Sequence, residues 1–356
     1  MSKDKETLLI LIPGFPKDEA DSTCLPSQQS FVRVAKEMYP DLNIIVLSFQ
    51  YPYHTQPYRI FNVDVIPFSL KTKKGIAKVV ARQRIRRTLE QIRNDYKIVG
   101  LLSFWCSECA MVGKRFADKY GLKHFCWIRG QDARAENKDV KKINPRPDEL
   151  IALSDFLQEE FEKNHGIKPA YVIPPGIDRR QFEGPDLPHD IDLIAVGSLI
   201  PLKQFDIFLK LVAEAKKQLP NIKAVLIGDG PERKKLEEKA YMLGIADNIF
   251  FTGELTQKDT LQWMKRSRLL LHTSSYEGFS GVCLEALYAG CQVISFCWAM
   301  KEPIDNWFVA KDAEEMKVRM MQLIQEPNNK EQVGFSYVVQ AAVEKVMGLY
   351  TPKSNL

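Results

Sequence analysis

Residues Thr7–Ile12 read TLLILI, and Pro13-Gly14 closes the run. Six residues are too few for an ordinary helix, and an apolar run without alternation offers no face to water. Such a run suits a strand buried on both sides, which belongs in a parallel sheet covered by helices. The unit recurs as NIIVLSF (43–49), KIVGLLS (97–103), HFCWI (124–128), LIAL (150–153) and AYVI (170–173). Helical patterns separate the runs over about Ser27–Tyr39, Ile76–Tyr96, Ser107–Tyr120 and Ser154–His165. Strand and helix in alternation predict an α/β, doubly wound parallel sheet.

At Pro174-Pro175-Gly176 the rhythm stops. PPGIDRRQFEGPDLPHD (174–190) holds four prolines and two glycines, which marks a domain boundary. Alternation then restarts. Strands are expected at Ile191–Val196, Lys223–Ile227, Asn248–Phe251, Leu269–Leu271 and Gln292–Ser295, and helices between them and at about 313–325 and 330–350. The chain of 356 residues therefore reads as two Rossmann-like domains, 1–175 and 176–330, with a cleft expected between them. A C-terminal helix, 331–356, is expected to pack back on the first domain.

Composition narrows the class. No apolar run approaches the length of a bilayer span. The start, MSKDKETLLILIPGF, lacks the plan of a signal peptide. Seven cysteines without framework spacing fit a reducing compartment. The expectation is a cytoplasmic chain, either free or peripheral on the inner face of the cytoplasmic membrane. The net charge of +5 is modest, but residues 65–89 hold eight Lys or Arg and no acid. Ile85, Leu89, Ile92 and Tyr96 recur at helical spacing, so the bases of Lys71–Arg87 fall on the outer face. Nucleic acid is not expected, because no recognition module accompanies the charge. An anionic membrane, an anionic acceptor and a plain solvated helix all remain open.

Residues 274–290 read SSYEGFSGVCLEALYAG. Glu277 lies in a turn before a helix, and Glu285 lies within that helix. The helix N-terminus offers free N–H groups to an anion. A carboxylate accepts hydrogen bonds and can take two from neighbouring hydroxyls. Phosphate on the amides and diols on the carboxylates describe a sugar nucleotide. Taken alone, the pair also fits a surface glutamate and a helix-start glutamate.

The surrounding segments resemble a known family. VGSLIPLKQFD, LIGDGPERKKLEE, IFFTGEL and HTSSYEGFSGVCLEALYAGCQVIS stand in that order, after IALSDFLQEEF and YVIPPGIDRRQF. Together they are similar to the donor half of retaining GT-B glycosyltransferases, specifically glycosyltransferase family 4 (glycosyl transferases group 1). The resemblance covers about Leu150–Ser295 most strongly. It implies a UDP- or GDP-sugar as donor substrate, retention of configuration, a glycan, lipid-linked or other hydroxyl acceptor, and neither cofactor nor metal. It also implies that Glu285 holds the ribose and Glu277 the transferred sugar, with Gly278 and the amides of Phe279 and Ser280 alongside. The amides of Gly281 and Val282 and the ammonium of Lys203 would meet the diphosphate. Gly197, Ser198 and Gly228 would line the nucleotide, and Gly253, Glu254 and Leu255 the base. Gly14, in PGFP, would match the first glycine loop on the acceptor side.

Three departures stand out. Gly197-Ser198 replaces the family's Gly-Arg, which removes one cation from the diphosphate. WIRGQDA places Arg129 where the family often has histidine and keeps Asp132; both are counted as catalytic with Glu277 and Lys203. FCWAMKEPIDNW replaces a glycine-rich turn. The first two departures favour one alternative, a non-catalytic nucleotide-sugar-binding partner subunit; a second alternative is a GT-B sugar-nucleotide epimerase or hydrolase, which the match to the transferase pattern weighs against. His54 and Glu108 are further acceptor-side candidates. The single CxxC at Cys106–Cys109 lacks a second pair to complete a zinc site.

Overall fold

The computed structural model describes residues 4–185, 187–326 and 336–351. The chain forms two units, Met1–Gly176 with Tyr337–Leu356, and Ile177–Ser336.

In the first unit the chain runs β1 (Glu6–Gly14), α1 (Pro26–Met38), β2 (Asn43–Tyr51), β3 (Tyr58–Ile60) and β4 (Val63–Pro67). It continues with α2 (Gly75–Asp95), β5 (Lys97–Phe104), α3 (Glu108–Tyr120), β6 (His124–Trp127), α4 (Asp139–Ile143), β7 (Leu150–Ala152), α5 (Asp155–His165) and β8 (Tyr171–Val172). The sheet order is β3-β4-β2-β1-β5-β6-β7-β8. Every neighbouring pair is parallel except β3 with β4. Leu8 to Ile12 have no exposed surface, as a strand covered on both faces requires.

The second unit runs β9 (Ile191–Val196), α6 (Phe205–Gln218), β10 (Ala224–Ile227), α7 (Arg233–Met242), β11 (Ile249–Gly253) and α8 (Gln257–Lys265). Then come β12 (Ser267–His272), α9 (Gly281–Tyr288), β13 (Gln292–Ser295), β14 (Trp307–Val309) and α10 (Ala313–Gln325). Its sheet is parallel throughout, in the order β11-β10-β9-β12-β13-β14. Leu193 on β9 faces Ala224 on β10 and Leu269 on β12, which fixes the register at the centre.

Helix α11 (Val339–Gly348) belongs to the first unit, where it packs against α1. It is shorter than the helix expected over 330–350, whose residues 330–335 lie outside the described residues. Its return is held tightly. The Tyr350 hydroxyl donates to the Leu101 carbonyl at 2.8 Å, and Lys123 Nζ donates to the Leu349 carbonyl at 2.8 Å. A Cβ on Gly100 would lie 2.3 Å from the Tyr350 ring, so only glycine leaves room for it. Three strands were not anticipated: β3, β4 and β14, each of three to five residues.

Candidate functional site

In the second unit the chain winds from β9 to β10 and β11 on one side, then crosses to β12, β13 and β14 on the other. The strand order therefore reverses between β9 and β12. In doubly wound sheets, ligands bind outside the carboxyl ends of the strands at that point. The loops that leave β9 and β12 are stitched together there. Thr273 Oγ1 donates to the Lys203 carbonyl at 2.7 Å, and the Ser275 N–H donates to the Leu202 carbonyl at 3.0 Å. Lys203 thereby reaches Glu277, and Nζ forms an ion pair with Oε1. His272, the last residue of β12, brings Nε2 to 3.4 Å from the same oxygen. Burial raises the affinity of Glu277 for a proton, but the His272 contact and the Lys203 charge outweigh it and hold its pKa at about 2. Glu277 is thus a firm carboxylate with one oxygen already engaged.

Ser280 caps α9 by accepting the Cys283 N–H at 3.4 Å, and its hydroxyl lies 3.2 Å from His272 Nε2. Gly281 and Val282 form the first turn. Phe279 is buried with its ring edge-on to Trp307, centroids 5.9 Å apart. One turn beyond, Glu285 Oε1 accepts from Gln257 Nε2, at the start of α8, at 2.9 Å. Burial pushes the Glu285 carboxyl up to about 7, against a smaller opposing effect of that hydrogen bond. The two carboxylates therefore differ in kind: Glu277 has charged and polar partners, whereas Glu285 is desolvated with a single amide donor.

Three glycines end β9, β10 and β11 side by side. The Gly197 N–H donates to the Ile227 carbonyl and the Gly228 N–H to the Gly253 carbonyl, both at 2.9 Å. Gly228 has φ +136°, and a Cβ there would sit 1.9 Å from the Gly197 carbonyl oxygen. No other residue fits. Ser198 is exposed, Glu254 is exposed and Leu255 is half-buried, each just past its glycine. The segment 296–307 carries the bulk that the sequence already sets in place of a glycine-rich turn. With neighbouring strand residues it borders a cavity of about 570 Å³ that Trp298, Met300, Ile304, Trp307 and Arg319 line.

The remaining candidates lie in the first unit. Asp132 is buried, its Oδ2 accepts the Arg129 backbone N–H at 2.7 Å, and burial pushes its carboxyl up to about 6. The Arg129 guanidinium lies 5.2 to 5.4 Å from the centroids of Phe104, Trp105 and Trp127. Burial lowers its pKa to about 10. Gly14 ends β1 opposite Tyr51. His54 is exposed, its ring 5.6 Å from that of Tyr58. Glu108 opens α3 and pairs with Arg82 of α2 at 2.5 Å. Cys106 and Cys109 are both buried, and burial drives the Cys109 thiol well up. His124, on the neighbouring strand, is buried and hydrogen-bonded to Ser103 at 2.9 Å, with its pKa lowered to about 3 by burial.

Sequence reasoning passed over His272 and Gln257. The signal available for His272 was its place at a strand end five residues before Glu277. For Gln257 it was the start of a helix following the glycine turn of β11.

Residues 178–334 match the family described as glycosyl transferases group 1. A human phosphatidylinositol N-acetylglucosaminyltransferase chain is 30% identical over 126 residues, 35% of this chain and 26% of that protein. The matched stretches span about a quarter to a half of the curated relatives: 26%, 34% and 51% in three of them. Sucrose-phosphate synthase from Thermosynechococcus elongatus superposes with a TM-score of 0.72 at 16% identity, covering 97% of this chain and 98% of that one. HepE from Anabaena, solved with UDP and glucose, gives 0.65 at 16% identity, covering 97% and 95%. At such identities the likeness is one of fold, the two-unit GT-B architecture. Among the described residues no helix is long and apolar enough to cross a membrane, and no group of three His, Cys, Asp or Glu stands ready to hold a metal.

Proposed function

We propose that this chain, whose residues 178–334 match the glycosyl transferases group 1 family, moves a sugar from a nucleotide diphosphate sugar to a hydroxyl acceptor. The carrying observation is the Lys203–Glu277 pair at the switch point of the second sheet, with Glu285 one helix turn away. Glu285 accepts the ribose hydroxyls, and Glu277 accepts a hydroxyl of the transferred sugar. Lys203 and the amides of Gly281 and Val282 take the diphosphate. As the sugar bond breaks, negative charge grows on the leaving diphosphate, and fixed donors aimed at it stabilise the transition state. Glu277 and Lys203 thus form a zwitterionic seat that separates on binding: carboxylate to sugar, ammonium to phosphate. Arg129, with Asp132 shaping its loop, supplies the second cation that Ser198 does not. The reaction retains configuration and proceeds without a metal.

The donor carries UDP or GDP, in keeping with UDP in the Anabaena structure. The acceptor is a glycan or a lipid-linked hydroxyl, in keeping with the phosphatidylinositol of the human relative's name. The exposed bases Lys71, Lys74, Arg82, Arg86 and Arg87 support docking of the chain, from the cytoplasm, on an anionic membrane surface.

A second reading is a partner subunit that binds the sugar nucleotide without turning it over; Ser198, exposed in place of the expected cation, favours it. A panel of UDP- and GDP-sugars, with and without cell-derived acceptors, separates the readings. Nucleotide diphosphate released only with acceptor supports transfer. Binding without release supports the partner subunit, and turnover of the donor alone supports an epimerase or hydrolase.

A further inference from the structure

One buried side chain next to the site has no role in the reading above: His272. It is 5% exposed, and its Nδ1 has no hydrogen-bond partner among the described residues. It ends β12, in register with Ser295 of β13, so its Cα is fixed by the sheet. Its Nε2 faces Glu277 Oε1 at 3.4 Å and Ser280 Oγ at 3.2 Å. A bare ring nitrogen against a carboxylate oxygen sets lone pair against lone pair. Nε2 therefore carries an N–H toward that oxygen.

Lys203 and His272 converge on one oxygen, Oε1, and leave Oε2 for a ligand. The two partners differ in what they can do next. Lys203 is an ammonium on a flexible four-carbon stem, and an incoming diphosphate competes for it. His272 is short and packed at a strand end, and has no phosphate to serve. We infer that His272 is a positioning residue, which keeps Glu277 aimed at the donor sugar when Lys203 turns to the diphosphate. It also couples two parts of the site, because Ser280, its other partner, caps α9. The helix end that meets the phosphates and the carboxylate that meets the sugar share one imidazole. The inference rests on the donor reading given above and adds a residue that the resemblance does not assign.

The test compares His272→Gln, His272→Asn and His272→Phe in the full chain, with folding checked by thermal melting. Glutamine carries an amide N–H near the position of Nε2; asparagine carries one near Nδ1; phenylalanine carries none. Calorimetry measures the affinity for UDP and GDP and for their glucose and N-acetylglucosamine conjugates. For the nucleotide that wild type binds, the Asn and Phe variants are expected to lose about tenfold for the sugar nucleotide, the scale of one hydrogen bond to a charged group. The diphosphate alone should bind within about twofold of wild type, and glutamine should restore the sugar nucleotide to within about threefold. Equal loss of both ligands in all three variants, or an unchanged ratio in Asn and Phe, overturns the positioning role while leaving the donor reading intact. Wild type that binds none of the sugar nucleotides sinks the donor reading itself.

Discussion

Glu285 carries the sharpest prediction, because its protonation is coupled to its proposed task. Burial raises its pKa from the ordinary 4.5 to about 7. A group with that value is about one-tenth ionised at pH 6 and nine-tenths at pH 8, by the usual titration relation. If the ribose hydroxyls are held by the charged carboxylate, affinity for the sugar nucleotide should rise about tenfold between those pH values. The sugar nucleotide is the ligand of choice because its phosphates are esterified at both ends, whereas a terminal phosphate titrates near pH ~6. Glu285→Gln should flatten the profile, and Glu285→Ala should weaken binding by about 1.5–3 kcal/mol, the worth of hydrogen bonds to a charged group. The unliganded protein should show the converse. A carboxyl whose folded pKa is raised binds more protons folded than unfolded, so its contribution to stability falls as pH climbs from about 4.5 to about 7. The full fall is of order 3 kcal/mol, since each pKa unit is worth about 1.4 kcal/mol. Calorimetry at five pH values and urea melts across the same range check both arms. A wild-type affinity that is flat from pH 6 to 8, or a Gln variant that keeps the slope, would refute the assignment of Glu285 to the ribose.

Transfer should persist in excess chelator; full loss restored by manganese or magnesium would exclude the metal-free mechanism. Lys203→Ala should weaken nucleotide diphosphate binding and turnover together, whereas Arg129→Ala should lower turnover by orders of magnitude with little change in nucleotide affinity. A folded Arg129→Ala protein of near-normal turnover would confine that side chain to its aromatic niche. Wild type should sediment with anionic vesicles at low salt and detach as salt rises, because screening acts within about 10 Å at 0.1 M. Neutralising Lys71, Lys73, Lys74 and Lys78 should abolish this; no sedimentation by wild type at low salt would end the membrane proposal.

Much of the fold was legible because its strands are long enough to announce themselves. TLLILI and IDLIAV are too short for ordinary helices and each is closed by a glycine turn, which favours buried parallel strand, and each is followed by a helix. Strands β3, β4 and β14 escaped for a physical reason: YRI and WFV span three residues each, and VDVIP ends in proline. They exist because neighbours already in place offer an edge, a tertiary cause that local pattern does not carry. The same division runs through the site. Glu277, Glu285 and Lys203 sit in a recognisable order. The partners that set their chemistry are remote in sequence: Gln257 lies 28 residues from Glu285 and Lys203 lies 74 from Glu277. A pKa near 7 for one glutamate and near 2 for the other follows from those distant contacts and from burial. Arg129 likewise reads in the sequence as a catalytic cation near Asp132, and the three rings beside its guanidinium are not legible there.

The packing of α11 on α1 bears on the order in which the protein can be made. The second unit is one continuous segment, so a nascent chain holds all of it before Tyr337–Leu356 leave the ribosome. The first unit is interrupted. Its α1 buries Phe31, Val34 and Ala35, while α11 brings Val339, Val343 and Val346 from the far end of the chain. Until those residues emerge, the α1 surface that α11 covers stays open to water. The first unit, begun before the second, is therefore finished after it, and a stop codon shortly before Val339 would harm the first unit more than the segment it directly follows.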